Sequence, residues 1–292
     1  MKKIGVFDSG FGGLTILKSI QSLLPEYDYI YLGDSARAPY GTRSFEVIYE
    51  YTLQAVRYLQ SQGCRLIIIA CNTASAKALR TIQQHDIDPG KIRVLGVIRP
   101  TAEAVAHPTL LPPYSSTPLP PYSSTPLPPS THIGILATPG TVSSESYVLE
   151  LNKLNPNLVI TQQACPMWVP LIESNEMDTP EMDFYIRTYL DELLSKDPAI
   201  DTIILGCTHY PLIKDKIENF LNSKLSTLNL ISQGEIVANS LKDYLHRHPE
   251  IDSELSRTGH CDYLTTGDAH TFESAASIFL NDKIHATQTE LV

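Results

Sequence analysis

The feature that most constrains this chain is an alternation: short, nearly continuous apolar runs, each followed by a turn signal and then by a stretch of helical periodicity. The runs are Ile4-Gly5-Val6-Phe7, Tyr29-Ile30-Tyr31-Leu32, Leu66-Ile67-Ile68-Ile69, Val94-Leu95-Gly96-Val97, Ile133-Gly134-Ile135-Leu136, Leu158-Val159-Ile160, Thr202-Ile203-Ile204-Leu205 and Tyr263-Leu264-Thr265. A strand that is apolar along its whole length must be covered on both faces, and the intervening helices supply the cover. Ser44 to Gln62 shows the helical half of the pattern, with Ile48, Tyr51, Ala55 and Leu59 three or four residues apart on one stripe. The fold class that follows is α/β, doubly wound about parallel sheets. At roughly 150 residues per domain, a chain of 292 residues makes two domains.

Charge and composition exclude several classes of function. The 22 Lys and Arg against 32 Asp and Glu leave a formal charge of −10, the wrong sign for a phosphate backbone, so no nucleic-acid partner is expected. No apolar run approaches the roughly 18 residues of a membrane span, so no membrane partner is expected either. Met1-Lys2-Lys3 is followed only by Ile4 to Phe7 before Asp8, too little for the apolar core of a signal peptide, and a cytoplasmic location is expected. The five cysteines, Cys64, Cys71, Cys165, Cys207 and Cys261, have neither CxxC spacing nor the density of a disulfide scaffold, and reduced thiols are expected. Between His107 and Thr131 the segment Leu-Pro-Pro-Tyr-Ser-Ser-Thr-Pro occurs twice and begins a third time, and it holds nine of the 21 prolines. Proline at that density removes backbone donors and favours extended chain, so about 107–131 is expected to be a surface insertion, a spacer rather than a ligand for a proline-binding module.

A weaker regularity bears on function. Each half begins with an Ile-Gly-containing run and later reaches an apolar strand that ends in a cysteine: Leu66 to Ala70 runs into Cys71-Asn72-Thr73, and Thr202 to Gly206 into Cys207-Thr208-His209. Ligands of open parallel sheets collect at the carboxyl ends of strands, where loops enter helix N-termini. A helix N-terminus lowers a thiol pKa, so both cysteines are expected near neutrality as thiolates or proton carriers. A lone cysteine is more often a buried structural residue; the matched pair argues for chemistry. Asp8-Ser9-Gly10 closes the first strand ahead of Phe11-Gly12-Gly13, which fits neither GxGxxG nor a P-loop. Asp8 there is a base, an orienting group, an ammonium partner or simply a helix cap. Tyr40-Gly41, in a Pro- and Gly-shaped loop, would close over a ligand or form a plain turn. Glu173, behind the apolar run from Trp168, is a pocket carboxylate or a helix end. Cys207 and His209 make poor zinc spacing, and no G-x-S-x-G elbow is present.

Taken in order, Phe7-Asp8-Ser9-Gly10-x-Gly12-Gly13, Gly33-Asp34-x5-Tyr40-Gly41, Ala70-Cys71-Asn72-Thr73-Ala74, Val169-Pro170-Leu171-Ile172-Glu173 and Gly206-Cys207-Thr208-His209-Tyr210-Pro211 resemble the glutamate racemases, of the cofactor-independent aspartate/glutamate racemase superfamily. The likeness spans nearly the whole chain, and Thr-His after the second cysteine is closer to the glutamate than to the aspartate enzymes. The resemblance implies interconversion of L- and D-glutamate for peptidoglycan synthesis, with no pyridoxal phosphate, other cofactor or metal. It implies Cys71 and Cys207 as the two acid/base groups, with Asp8 assisting the first and Glu173 and His209 the second. Substrate contacts carry over to Asp8, Ser9, Tyr40, Gly41, Asn72, Thr73, Thr208 and His209. The implied fold is two pseudo-symmetric α/β domains with the site in the cleft between them: residues 1–98 with 210–292, and an inserted domain of 99–209. A homodimer is expected, and the Pro-rich repeat departs from the family pattern. An aspartate-specific racemase and a non-catalytic amino-acid-binding protein are the alternatives.

Overall fold

The structure, a computed structural model, describes residues 2–106, 131–222, 228–280 and 282–291. The Pro-rich repeat expected at about 107–131 therefore lies, except for Thr131, outside the described residues. Among those residues ten strands occur: β1 (Ile4–Asp8), β2 (Tyr29–Gly33), β3 (Leu66–Ile69), β4 (Arg93–Gly96), β5 (His132–Ala137), β6 (Val159–Ala164), β7 (Thr202–Gly206), β8 (Asn229–Ile231), β9 (Cys261–Thr265) and β10 (Ala286–Gln288). They form two sheets, β10-β9-β2-β1-β3-β4 and β6-β5-β7-β8, in which the neighbours pair in parallel. The order β2-β1-β3-β4 in one sheet recurs as β6-β5-β7-β8 in the other.

Both sheets are covered on both faces, as the continuous apolar runs require. Along β3, Leu66 and Ile68 enter a core shared with the helix Leu14–Leu23, while Ile67 and Ile69 enter a separate core under the helix Phe45–Ser61. The second sheet repeats the arrangement: Ile133 and Ile135 face the helices Ile98–Ala106 and Ser146–Leu154, and Leu136 and Leu205 share a core with the helix Pro180–Lys196. Side chains of this size each contribute roughly 1.5–3 kcal/mol on burial. The stripe read from Ser44 to Gln62 is the buried side of the helix Phe45–Ser61, with Ile48, Ala55 and Leu59 fully enclosed and Ser44 capping the backbone N–H of Val47. The core under Leu14–Leu23 is continuous with that under Pro180–Lys196 and takes in Trp168, which packs edge-on against Tyr210 with ring centroids 4.8 Å apart. None of the described helices is long and apolar enough to cross a membrane.

One strand lies apart from its expected sheet. The sequence places residues after 209 with the first domain, but β8 pairs with β7 in the second sheet, through Thr202 opposite Asn229. β8 and β10 escape a reading by apolar pattern because each has three residues and a half-polar composition, Asn-Leu-Ile and Ala-Thr-Gln.

The edge where β9 joins β2 is fastened by Asp28, 5% exposed. Its Oδ1 accepts from the Thr258 backbone N–H at 2.9 Å, the Thr258 hydroxyl at 2.7 Å and the His260 N–H at 3.0 Å. Burial works against ionisation, but hydrogen bonds from Ser256, His260 and Thr258 outweigh it and hold this carboxyl well below the usual range. A depressed folded pKa gives stability that is present above the unfolded value of about 3.9 and is lost as pH falls through the folded one. Asp28→Asn should therefore destabilise the fold by about 2 kcal/mol at pH 7 in denaturant unfolding, with a smaller penalty at pH 3. An equal penalty at both pH values would show that the charge is irrelevant.

Candidate active site

The carboxyl ends of β1 and β3 in one sheet and of β5 and β7 in the other meet at one cleft, lined by Ser9, Tyr40, Gly41, Cys71, Asn72, Thr73, Glu173, Cys207, Thr208 and His209. All ten were singled out from the sequence. Asp8, the eleventh, lies beneath the cleft wall and is fully enclosed. It reaches the site through others: its Oδ2 accepts from the Thr208 hydroxyl at 3.3 Å and its Oδ1 from the Gly10 N–H at 3.0 Å.

Cys71 is the residue that caps the helix Asn72–Lys77, and its Sγ donates to Ser9 Oγ at 3.4 Å. Across the cleft Cys207 follows β7 directly, with its Sγ 3.8 Å from His209 Nδ1. His209 Nε2 lies 3.0 Å from Glu173 Oε1, so the imidazole bridges thiol and carboxylate. Gly12 makes room for this: a Cβ there would stand 2.4 Å from both His209 Nδ1 and Thr208 Oγ1. The glycines after Asp8 thus admit the other half of the molecule, a close approach that only a missing side chain allows.

The Tyr40 hydroxyl is turned away from the cleft onto Asp34, itself fully buried and bonded to Arg37 Nε at 2.7 Å and Thr266 Oγ1 at 2.7 Å. That loop presents the Tyr40 ring and the backbone around Gly41, whose carbonyl accepts from the Gly140 N–H at 2.7 Å. Thr73 forms a cluster with Thr138 Oγ1 at 2.9 Å and Thr141 Oγ1 at 3.3 Å. Thr138 lines the cleft and was missed. The repeat carried the signal, since Thr138-Pro139-Gly140 follows β5 as Asp8-Ser9-Gly10 closes its counterpart β1. Cys165, Pro39 and Val169 also line the cleft without having been foreseen.

Electrostatics separate the two sides. Burial, reinforced by the charge of Asp8, pushes the Cys71 thiol up to about 12, against weaker help from Ser9 and the backbone of Ala74. The expected lowering toward neutrality does not occur, because a helix of six residues offers too little to offset a desolvated thiolate. Burial also opposes charge on His209, but its hydrogen bonds to Cys207 and Glu173 win and push it up to about 10. Burial raises Asp8, offset in part by the charge of His209 and by backbone N–H groups of Gly10 and Gly13. Near neutral pH the site therefore holds a protonated Cys71 facing a Cys207 that has an imidazolium beside it.

No family model matches the chain. Among curated proteins, the glutamate racemase of Ruegeria sp. (strain TM1040) is 40% identical over 281 residues, which is 96% of this chain and 97% of that one. Among solved structures, an isoform of glutamate racemase from Bacillus anthracis superposes with a TM-score of 0.83 at 32% identity, covering 99% of this chain and 98% of the other. Glutamate racemase from Francisella tularensis subsp. tularensis SCHU S4, in complex with D-glutamate, gives 0.82 at 32% identity with coverage of 99% and 98%. Sharing sequence and two-sheet fold along almost its whole length with these proteins, the chain belongs to the glutamate racemases, a family of amino-acid racemases.

Proposed function

We propose that the protein interconverts L- and D-glutamate by two-base proton transfer at the α-carbon, without a cofactor. The observation that carries the mechanism is the placement of two thiols at the ends of topologically equivalent strands, β3 and β7, on one cleft. Inversion through a planar carbanion needs a proton taken from one face and a proton given from the other, hence one acid/base group on each side. Cys71 holds a proton to give, and Cys207, its Sγ 3.8 Å from His209 Nδ1, is the group on the other side in the direction in which Cys71 donates. After a turn-over the thiol proton sits on Cys207 and Cys71 is left as thiolate, the state from which the opposite enantiomer reacts. Asn72, Thr73, Ser9 and the backbone of Gly41 and Thr208 offer donors to the two carboxylates and to the enolate-like charge that develops. Asp8 and Glu173 act through Thr208 and His209.

The Francisella relative, solved with D-glutamate, supports glutamate as the substrate. We further infer a cytoplasmic homodimer that supplies D-glutamate for peptidoglycan, as the family resemblance implies. The two domains are taken as residues 1–98 with the C-terminal segment and an inserted domain from 99, its end moved past β8 to follow the sheet pairing.

Two measurements bear on this reading. Purified protein with L-glutamate in D₂O and no added cofactor should give α-deuterium together with a racemate, and Cys71→Ala or Cys207→Ala should each cut racemisation by roughly 10²–10⁴-fold. Wild-type rates in both variants would sink the two-thiol mechanism; tight glutamate binding without exchange would point to a binding protein, and faster turnover of aspartate to the other branch of the superfamily. The second concerns pH: because Glu173 helps hold His209 at about 10, Glu173→Gln should discharge the imidazolium at lower pH. The alkaline limb of kcat/KM should move to lower pH, with a loss of at least about ten-fold at pH 9 relative to wild type. A limb that stays in place would show that Glu173 does not support His209.

A further inference from the structure

The side chain of Asn72, next to Cys71, is closed into a ring of three hydrogen bonds that lies outside every motif read from the sequence except Asn72 itself. Asn72 Nδ2 donates to Gln233 Oε1 at 2.6 Å, Gln233 Nε2 donates to the Tyr147 hydroxyl at 2.8 Å, and that hydroxyl donates to Asn72 Oδ1 at 2.7 Å. The members come from three places far apart in the chain: the first residue of the helix Asn72–Lys77, the residue that caps the helix Gly234–Arg247, and the helix Ser146–Leu154. All are enclosed, with Asn72 and Gln233 each 2% exposed and Tyr147 fully buried.

Two amides and a phenol can satisfy such a ring in either sense, since flipping both amides reverses every donor. Thr101 removes the ambiguity. Its hydroxyl donates to Val97 O at 2.7 Å, so its oxygen can only accept from Gln233, which stands 3.0 Å away. Nε2 of Gln233 must therefore face Thr101, where Val97 O at 3.5 Å is a further acceptor. Oε1 then faces Asn72, whose Nδ2 turns toward Gln233 and whose Oδ1 is committed to Tyr147. Burial pushes the Tyr147 phenol up, so it remains a donor at any pH at which the protein works. The unspent group on Asn72, at the wall of the cleft, is its second N–H.

We propose that Gln233, Tyr147 and Thr101 are positioning residues that lock the Asn72 amide in one orientation, so that it offers a substrate carboxylate an N–H donor and never a carbonyl oxygen. This rests on the reading of Asn72 as a substrate contact. Releasing the lock lets the amide turn over, which replaces a donor by an acceptor facing a carboxylate; the loss is felt by bound substrate and transition state alike.

The test is a double-mutant cycle on steady-state kinetics with both enantiomers of glutamate. Tyr147→Phe removes one hydroxyl and keeps the ring; it should raise KM about 3- to 10-fold with kcat within about two-fold. Asn72→Ala should raise KM at least as much, and adding Tyr147→Phe to it should change KM by less than about two-fold, because the lock acts through Asn72 alone. Thr101→Val, which leaves the shape and removes the selector, should shift KM in the same direction and decides by the same criteria if Tyr147→Phe fails to fold. An unchanged KM in the single variants, a loss taken in kcat, or a full Tyr147→Phe effect in the Asn72→Ala background would each overturn the proposal. An unchanged KM in Asn72→Ala would instead overturn the reading of Asn72 as a substrate contact, and the lock with it.

Discussion

A parallel strand buried on both faces leaves one place for polar chemistry, its carboxyl end, and the molecule is organised around that restriction. β3 is apolar throughout and β7 is apolar after Thr202, with Leu66 to Ile69 and Ile203 to Leu205 enclosed, and the thiols come just past the strand ends, at Cys71 and Cys207. A single sheet could bring one such end to one side of a substrate. Inversion at a carbon atom needs two, on opposite sides, and the second sheet supplies the other by repeating the order of the first. In the proposed two-base reaction the pseudo-symmetry answers a geometric demand: the same strand position in each sheet carries the thiol.

Enclosure sets the terms for the charges as well. Asp8, Cys71 and His209 are all buried, and an isolated charge in such a place is costly. The three groups meet that cost differently. Cys71 stays neutral as a thiol. His209 carries charge because it has a partner on each ring nitrogen, Cys207 on Nδ1 and Glu173 on Nε2. Asp8 is surrounded by donors, Gly10 and Thr208, and by the field of His209. The two sides of the cleft thus differ in their charged neighbours even though the strands are equivalent, and the difference comes from those neighbours, not from topology.

The legible part of the sequence was the part written in short contiguous stretches. Apolar runs marked eight of the strands, and Cys71-Asn72-Thr73 and Cys207-Thr208-His209 marked two strand ends that line the cleft, because each motif spans a single turn after a strand. Thr138 was hidden although the repeat pointed to it, since a lone threonine before Pro139 has no chemistry until Thr73 is set beside it. β8 was hidden by its three residues, yet the fourth strand of the first sheet already required a counterpart. Gln233 and Tyr147 were beyond reach of any local reading, because their significance is contact with Asn72 across distances of 161 and 75 residues. The thiol pKa was misjudged for a related reason: the helix start after Cys71 is visible in the sequence, while the burial that overrides it is a property of the assembled molecule.

The two sheets are held together by different means with different geometric consequences. The core that runs from Ile16 and Leu17 through Trp168 to Leu190 and Leu193 excludes water but has no preferred direction, and apolar contacts of that kind fix spacing more loosely than hydrogen bonds do. Around the cleft the contacts between the halves are directional: Gly140 N–H on Gly41 O, Thr73 on Thr138, Tyr147 on Asn72, Thr208 on Asp8. At Gly41 and Gly140 the backbones come so close that a Cβ on Gly140 would stand 2.9 Å from Gly41 O. In the proposed mechanism two thiols flank one carbon atom, and since misplacing reacting groups by about 1 Å costs on the order of 10²-fold in rate, the apolar core alone would not hold them there. The polar seam does that work, and its members sit on the loops and helix starts that follow the strand ends, so the elements that carry the thiols also set the distance between them.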